Sequence, residues 1–137
     1  MEFDNESIQL RIDIIERNLA EIAKIVSEGY EQFDYRNQLA SKHALQESIE
    51  SCIDIANHII ATMGFRRPND YRDVFIVLEE NDILNKELSA KLQAMASFRN
   101  LLVFRYADMD KIKLFKIMKI ETNDFNDFIV QILGYIN

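Results

Sequence analysis

One cysteine, one proline, three glycines, two histidines and no tryptophan are spread over 137 residues. A lone Cys52 excludes an internal disulfide and agrees with a reducing compartment. So little glycine and proline leaves few tight turns for a many-stranded fold, and composition favours a few long helices. His43 and His58 stand far apart along one predicted helix, too thin a supply for a metal centre that needs three or four convergent ligands. No internal repeat, low-complexity run or apolar segment long enough to span a bilayer occurs. The acidic start Met-Glu-Phe-Asp-Asn-Glu has no basic end leading into an apolar run, so no secretory leader is expected and the cytoplasm is the expected location.

What is present is apolar periodicity and an excess of acid. Net charge is −7, which argues against wholesale coating of nucleic acid. The basic residues are unevenly placed, however. Arg99, Arg105, Lys111, Lys113, Lys116 and Lys119 fall within one short region, opposed there by Asp108 and Asp110. This is either a local surface for a phosphate backbone or the solvated lysine face of an amphipathic helix.

Ile8, Ile12, Ile15, Leu19, Ile22 and Val26 recur at three- and four-residue spacing and predict a first helix over 5–27, stopped by Gly29. Tyr30, Phe33 and Tyr35 follow as an aromatic connection, expected to lid one end of a bundle. A second helix is expected from 34 or 37 to 63, with a broad stripe from Ala44 and Leu45 to Ile59 and Ile60. Asp54 and His58 share one of its faces, with Glu50 one turn earlier, and are expected as a hydrogen-bonded polar pair facing a neighbouring helix or the Arg99 stretch. The segment 64–70, with Pro68, is the main break. A short helix over 71–80 and a fourth from 85 or 87, carrying Leu88, Leu92, Met95, Phe98, Leu101 and Leu102 inward, come next. A fifth runs from Asp110 almost to the end along the seam Phe115, Met118, Thr122, Phe125, Ile129, Ile132 and Ile136. The expected fold is all-α, an antiparallel bundle of four long helices and one short one, in a single domain over 1–137.

Residues 95–110 are less easily explained as generic helix. Arg99, Asn100, Arg105 and Tyr106 crowd polar chemistry into two turns. Arg99 and Tyr106, seven apart, point nearly the same way, whereas Arg99 and Phe104, five apart, diverge by roughly 140°. A site needing both Arg99 and Phe104 requires a bent helix end or a second copy of the chain. Taken alone, Arg99 reads as a helix tether to a carboxylate such as Asp54 or Glu50. Likewise Tyr106 reads as a packed ring with a wet hydroxyl, and Phe104 as core or interface filler.

The run Arg99-Asn-Leu-Leu-Val-Phe-Arg-Tyr106 resembles the signature of the HepT-like toxins of the HEPN superfamily of small helical ribonucleases. That signature is Arg, often followed by Asn, then a His, one residue and a Tyr. Glu47-Ser-Ile-Glu-Ser-Cys-Ile-Asp-Ile-Ala-Asn-His-Ile-Ile60 and Pro68-Asn-Asp-Tyr-Arg-Asp73 resemble the same family, so the likeness covers essentially the whole chain. It implies a HEPN-like homodimer with the signature lining a cleft at the interface, and metal-independent endoribonuclease chemistry with no cofactor. The implied partners are RNA and the MNT-type nucleotidyltransferase antitoxin of a type VII toxin–antitoxin pair. By resemblance Arg99 stabilises the phosphate, Asn100 shapes the pocket and Tyr106 accepts AMP from the antitoxin. Arg105, Asp54 and His58 are supporting polar groups. Phe104 occupies the signature histidine position and cannot exchange a proton. The expectation is a natural member with weakened activity, an inactivating substitution, or a site in which His58 supplies the proton transfer. The alternative is a non-catalytic helical dimer that binds, and is modified by, a nucleotidyltransferase.

Overall fold

The computed structural model describes residues 2–104 and 109–137. Helix α1 spans Asn5–Ser27, a short 3-10 turn Tyr30–Gln32, α2 Tyr35–Met63, α3 Asp73–Glu80, α4 Lys86–Phe104, α5 Lys111–Ile120 and α6 Asn123–Ile136. There is no strand among the described residues, and no helix there is long and apolar enough to cross a membrane. The expected all-α bundle is the observed one.

Side-chain caps set most helix starts. Asp4 accepts the N–H of Ser7 at 3.0 Å and Asp34 that of Asn37 at 2.8 Å. Asn85 accepts the N–H of Leu88 at 2.8 Å, and Asp110 that of Ile112 at 2.9 Å. Each satisfies a donor that the first helical turn leaves orphaned. Gly64, at φ 69°, ends α2 in the left-handed conformation that glycine adopts without a Cβ penalty. The broad apolar stripe makes α2 the central helix, in contact with all five others, and it pairs most extensively with α1. Phe33, Phe75, Phe125 and Phe128 are sealed in the core beside Ile12, Ile15, Leu45, Ile49 and Ile59.

Three local expectations are corrected. The fifth helix divides at Glu121 and Thr122. There the Asp124 N–H bonds back to Glu121 and that of Phe125 to Thr122, each at 3.2 Å, and the Thr122 hydroxyl donates to the Met118 carbonyl at 3.1 Å. Such tightened turns and back-bonding threonines bend a helix. The seam is also wider than expected, because Leu114 and Phe128 are buried as well. Second, of the three rings after α1 only Phe33 is core. Tyr30 rests edge-on against Phe115 at 5.4 Å with the Lys111 ammonium 4.5 Å above it, and Tyr35 is exposed on the first turn of α2.

Third, α3 starts at Asp73 rather than Tyr71, because Asp73 organises the preceding loop. The Asp70 carboxylate accepts the Asp73 N–H at 2.8 Å, and the Asp73 carboxylate accepts the Asn69 N–H at 2.8 Å. Arg66 donates to both oxygens of Asp73 at 2.8 Å and to Glu80 at 2.9 and 3.0 Å. The hydrogen bonds from Arg66 first, then the Asn69 N–H, hold the Asp73 carboxyl down at about 2. This clamp fixes where Tyr71 sits.

Candidate functional site

Arg99 lies in the second half of α4, where it faces Glu50 of α2. Its Nε and Nη2 donate to one Glu50 oxygen at 3.1 and 2.6 Å, and its Nη1 donates to Asn100 Oδ1 at 3.3 Å. The guanidinium carbon sits 4.8 Å from the centre of the Tyr71 ring, within cation–π reach. With its side chain 14% exposed, Arg99 is tethered to α2 yet reaches solvent. Glu50, Ile53, Asp54, Tyr71 and Arg99 line a cavity of about 240 Å³.

The tether expected of a lone arginine is therefore present, through Glu50 rather than Asp54. It does not exhaust the side chain. A guanidinium has five N–H donors, and the described contacts of Arg99 engage one on Nε, one on Nη2 and one on Nη1. Pinning the planar guanidinium through one edge leaves donors for two oxygens of an oxyanion such as phosphate.

Asp54 and His58 do not form the expected pair. Asp54 lies 3.4 Å from Arg11 Nε, and His58 Nε2 accepts the backbone N–H of Asp4 at 3.0 Å. Asp54 faces α1, whereas His58 meets the residues just before it, so each is taken separately by the N-terminal part of the chain. Asp54 still lines the Arg99 cavity, whereas His58, one turn further along, does not.

Phe104, at the end of α4, is 76% exposed, beside Val103 at 36%. The reading as core filler is thus corrected, and a surface ring remains. The divergence of Arg99 and Phe104 is realised, the first nearly buried against α2 and the second turned to solvent. Arg105, Tyr106 and Asp108 lie outside the described residues. The basic cluster also divides. Lys113 and Lys116 border a separate groove of about 560 Å³ between α4 and α5 that shares no lining residue with the Arg99 cavity. Among the described residues no three His, Cys, Asp or Glu side chains are arranged to hold a metal ion.

Sequence reasoning missed Tyr71. It lies three residues past the proline of a loop whose path no helical period predicts, just before α3, which packs on α4 through contacts such as that of the Ser89 hydroxyl with the Phe75 carbonyl.

An all-α bundle in which the arginine of the Arg99-Asn100 signature run is braced at a cavity fits the HEPN class that the sequence resembles. A family model described as Ribonuclease HepT-like matches residues 15–132. The mRNA nuclease HepT of Shewanella oneidensis is 32% identical over 127 residues, 91% of this chain and 95% of that protein. The tri-AMPylated HEPN toxin of Shewanella oneidensis, solved in complex with MNT antitoxin, superposes with a TM-score of 0.87 at 31% identity, over 93% of this chain and 97% of that one. A toxin–antitoxin structure with AMP-PNP gives a TM-score of 0.87 at 28% identity, over 94% of this chain and 98% of that one. This chain belongs to the HepT-like ribonuclease family.

Proposed function

We propose that this chain is the toxin of a toxin–antitoxin pair, working in the cytoplasm as a homodimer against RNA and silenced by an MNT-type nucleotidyltransferase. It keeps the phosphate-gripping half of a metal-independent endoribonuclease site and lacks the proton-transferring half. The observation that carries this reading is the Arg99 fork, braced by Glu50 with donors in reserve at the edge of a cavity.

The reaction is attack of a ribose 2′-oxygen on the adjacent phosphorus. A base takes the 2′ proton, negative charge builds on the non-bridging oxygens, and the bond to the 5′-oxygen breaks as an acid protonates it. The products are a 2′,3′-cyclic phosphate and a 5′-hydroxyl. Arg99 supports the developing charge with fixed donors, and Asn100, bonded to Nη1, keeps the fork oriented. Phe104 has no proton to exchange, and loss of a positioned acid–base group costs about 10²–10⁴ in rate. Because Arg99 and Phe104 point apart, a complete site requires two copies related by a two-fold axis. The exposed Phe104 and Val103 supply an apolar surface for such a contact.

Tyr106 is the proposed acceptor of AMP. Its phenol oxygen attacks the α-phosphorus of ATP, pyrophosphate leaves and the phenolic proton is lost, with the Arg105 and Arg99 cations as the proposed partners of the added phosphate. The same exposed Phe104 favours a second reading, a non-catalytic dimer whose task is to bind, and be modified by, the nucleotidyltransferase.

Incubation with the cognate nucleotidyltransferase and ATP, followed by peptide mass spectrometry, tests the pairing. The expected result is AMP on Tyr106, absent in Tyr106→Phe. An adduct on another residue, or none, contradicts it.

A further inference from the structure

Tyr71 lines the Arg99 cavity and also a larger groove of about 660 Å³, between the last turns of α2 and the 64–72 loop. The two spaces are joined along α2 as well. Glu50, Asp54, Asn57 and Ala61 recur at four, three and four residues and so form one stripe, the first two on the small cavity and the last two on the groove. From Glu50 to Asn57 this stripe advances about 10 Å along the helix axis.

The groove has the chemistry of a base-binding slot. Ile60, Phe65 and Val74 give it apolar walls, and the exposed Tyr71 adds an aromatic ring. Asn57 and Asn69 bring amides that both donate and accept, and Arg67 adds a cation. Unpaired RNA bases are recognised in this way, by an aromatic face for stacking and polar groups for the base edge. The loop is also held in shape beforehand. Pro68 fixes one backbone angle, and the Asn69 N–H is bound to Asp73, itself gripped by Arg66. A pre-organised wall lowers the entropic cost of seating a ligand.

We infer that this groove holds an unpaired nucleobase of single-stranded RNA, next to the phosphate gripped by Arg99, with Tyr71 as the stacking ring shared by the two. The inference rests on the reading of Arg99 as an RNA-phosphate contact. It makes Tyr71 and Asn57 specificity-determining residues.

The test is fluorescence anisotropy of the full chain with a labelled single-stranded RNA decamer at low salt. Tyr71→Ala is expected to weaken binding by about tenfold, the scale of losing one base–aromatic stack, while Tyr71→Phe stays within about twofold. Ala61→Leu fills the groove without touching Arg99 and is expected to weaken binding by a similar factor. Ala61→Leu is not expected to change affinity for a decamer stripped of its bases, which Arg99→Ala still weakens. If Tyr71→Ala and Ala61→Leu bind the intact decamer like wild type while Arg99→Ala loses it, the base slot is overturned and the phosphate contact stands. No binding by wild type overturns both. If Ala61→Leu converts a dimer to a monomer in sedimentation, the groove belongs to a second copy and the inference is overturned.

Discussion

Arg66 and Arg99 both reach across helix boundaries to carboxylates, and they differ in how much of the guanidinium each has left. Arg66 directs Nε, Nη1 and Nη2 at four oxygens of Asp73 and Glu80, every bond at 3.0 Å or shorter. Arg99 places two nitrogens on a single oxygen of Glu50 and a third, at 3.3 Å, on its own neighbour Asn100. The first arrangement commits four of the five N–H donors, all to strong carboxylate bonds, and ties a loop to a helix. The second is braced but incomplete, beside an aromatic ring and an open cavity. Exposure alone ranks them the wrong way, since the Arg66 side chain is 42% exposed and that of Arg99 14%. Donor capacity left over, rather than accessibility, marks the arginine suited to a ligand.

Exchanging the two roles is the largest test of this contrast. Arg99→Ala is expected to weaken single-stranded RNA binding by about tenfold or more, the worth of a charge-assisted phosphate contact, with the urea midpoint nearly unchanged. Arg66→Ala is expected to lower the midpoint and to leave binding of a decamer stripped of its bases intact. Equal loss of base-stripped decamer binding in both variants breaks the distinction.

A smaller effect is expected at Asp73, whose carboxylate collects the clamp. Asp73→Asn should cost about 1–2 kcal/mol in urea unfolding, because charge-assisted bonds become neutral ones in a half-wet site. A cost indistinguishable from zero would show that the loop holds without it.

The smallest is a pH effect. Hydrogen bonds from Arg66 and Asn69 hold Asp73 at about 2 in the folded chain, below the ordinary carboxylate value of about 3.9. Its contribution is therefore full above about pH 4 and is lost as pH falls from there through about 2. Asp124 works oppositely, its carboxyl pushed up by burial, so its protonation favours the folded state as pH falls. The stability gap between wild type and Asp73→Asn should shrink between about pH 4 and 2. A gap constant across that interval contradicts the assignment.

Much of this was legible in the sequence where local chemistry decides structure. The bounds of α1 follow from isoleucine spacing, and the starts at Asp34, Asn85 and Asp110 from caps that act within a few residues. Glu50 was within reach as a partner of Arg99, being one turn from Asp54 on the face turned toward it. The residues that escaped depend on other segments. Tyr71 reaches Arg99 through the 64–72 loop and the packing of α3 on α4, and His58 was taken by a backbone N–H of Asp4 that periodicity cannot place. The break at Thr122 was hidden because the apolar period runs across it unbroken.

RNA cleavage by Phe104→His, followed side by side with the wild type, measures most directly whether this chain holds half of a nuclease site. A purified wild type that cleaves poorly, a Phe104→His variant faster by about 10²-fold or more, and return to baseline when Arg99→Ala is added are the expected results. Vigorous cleavage by the wild type, or no gain in Phe104→His while it still binds RNA, would contradict it.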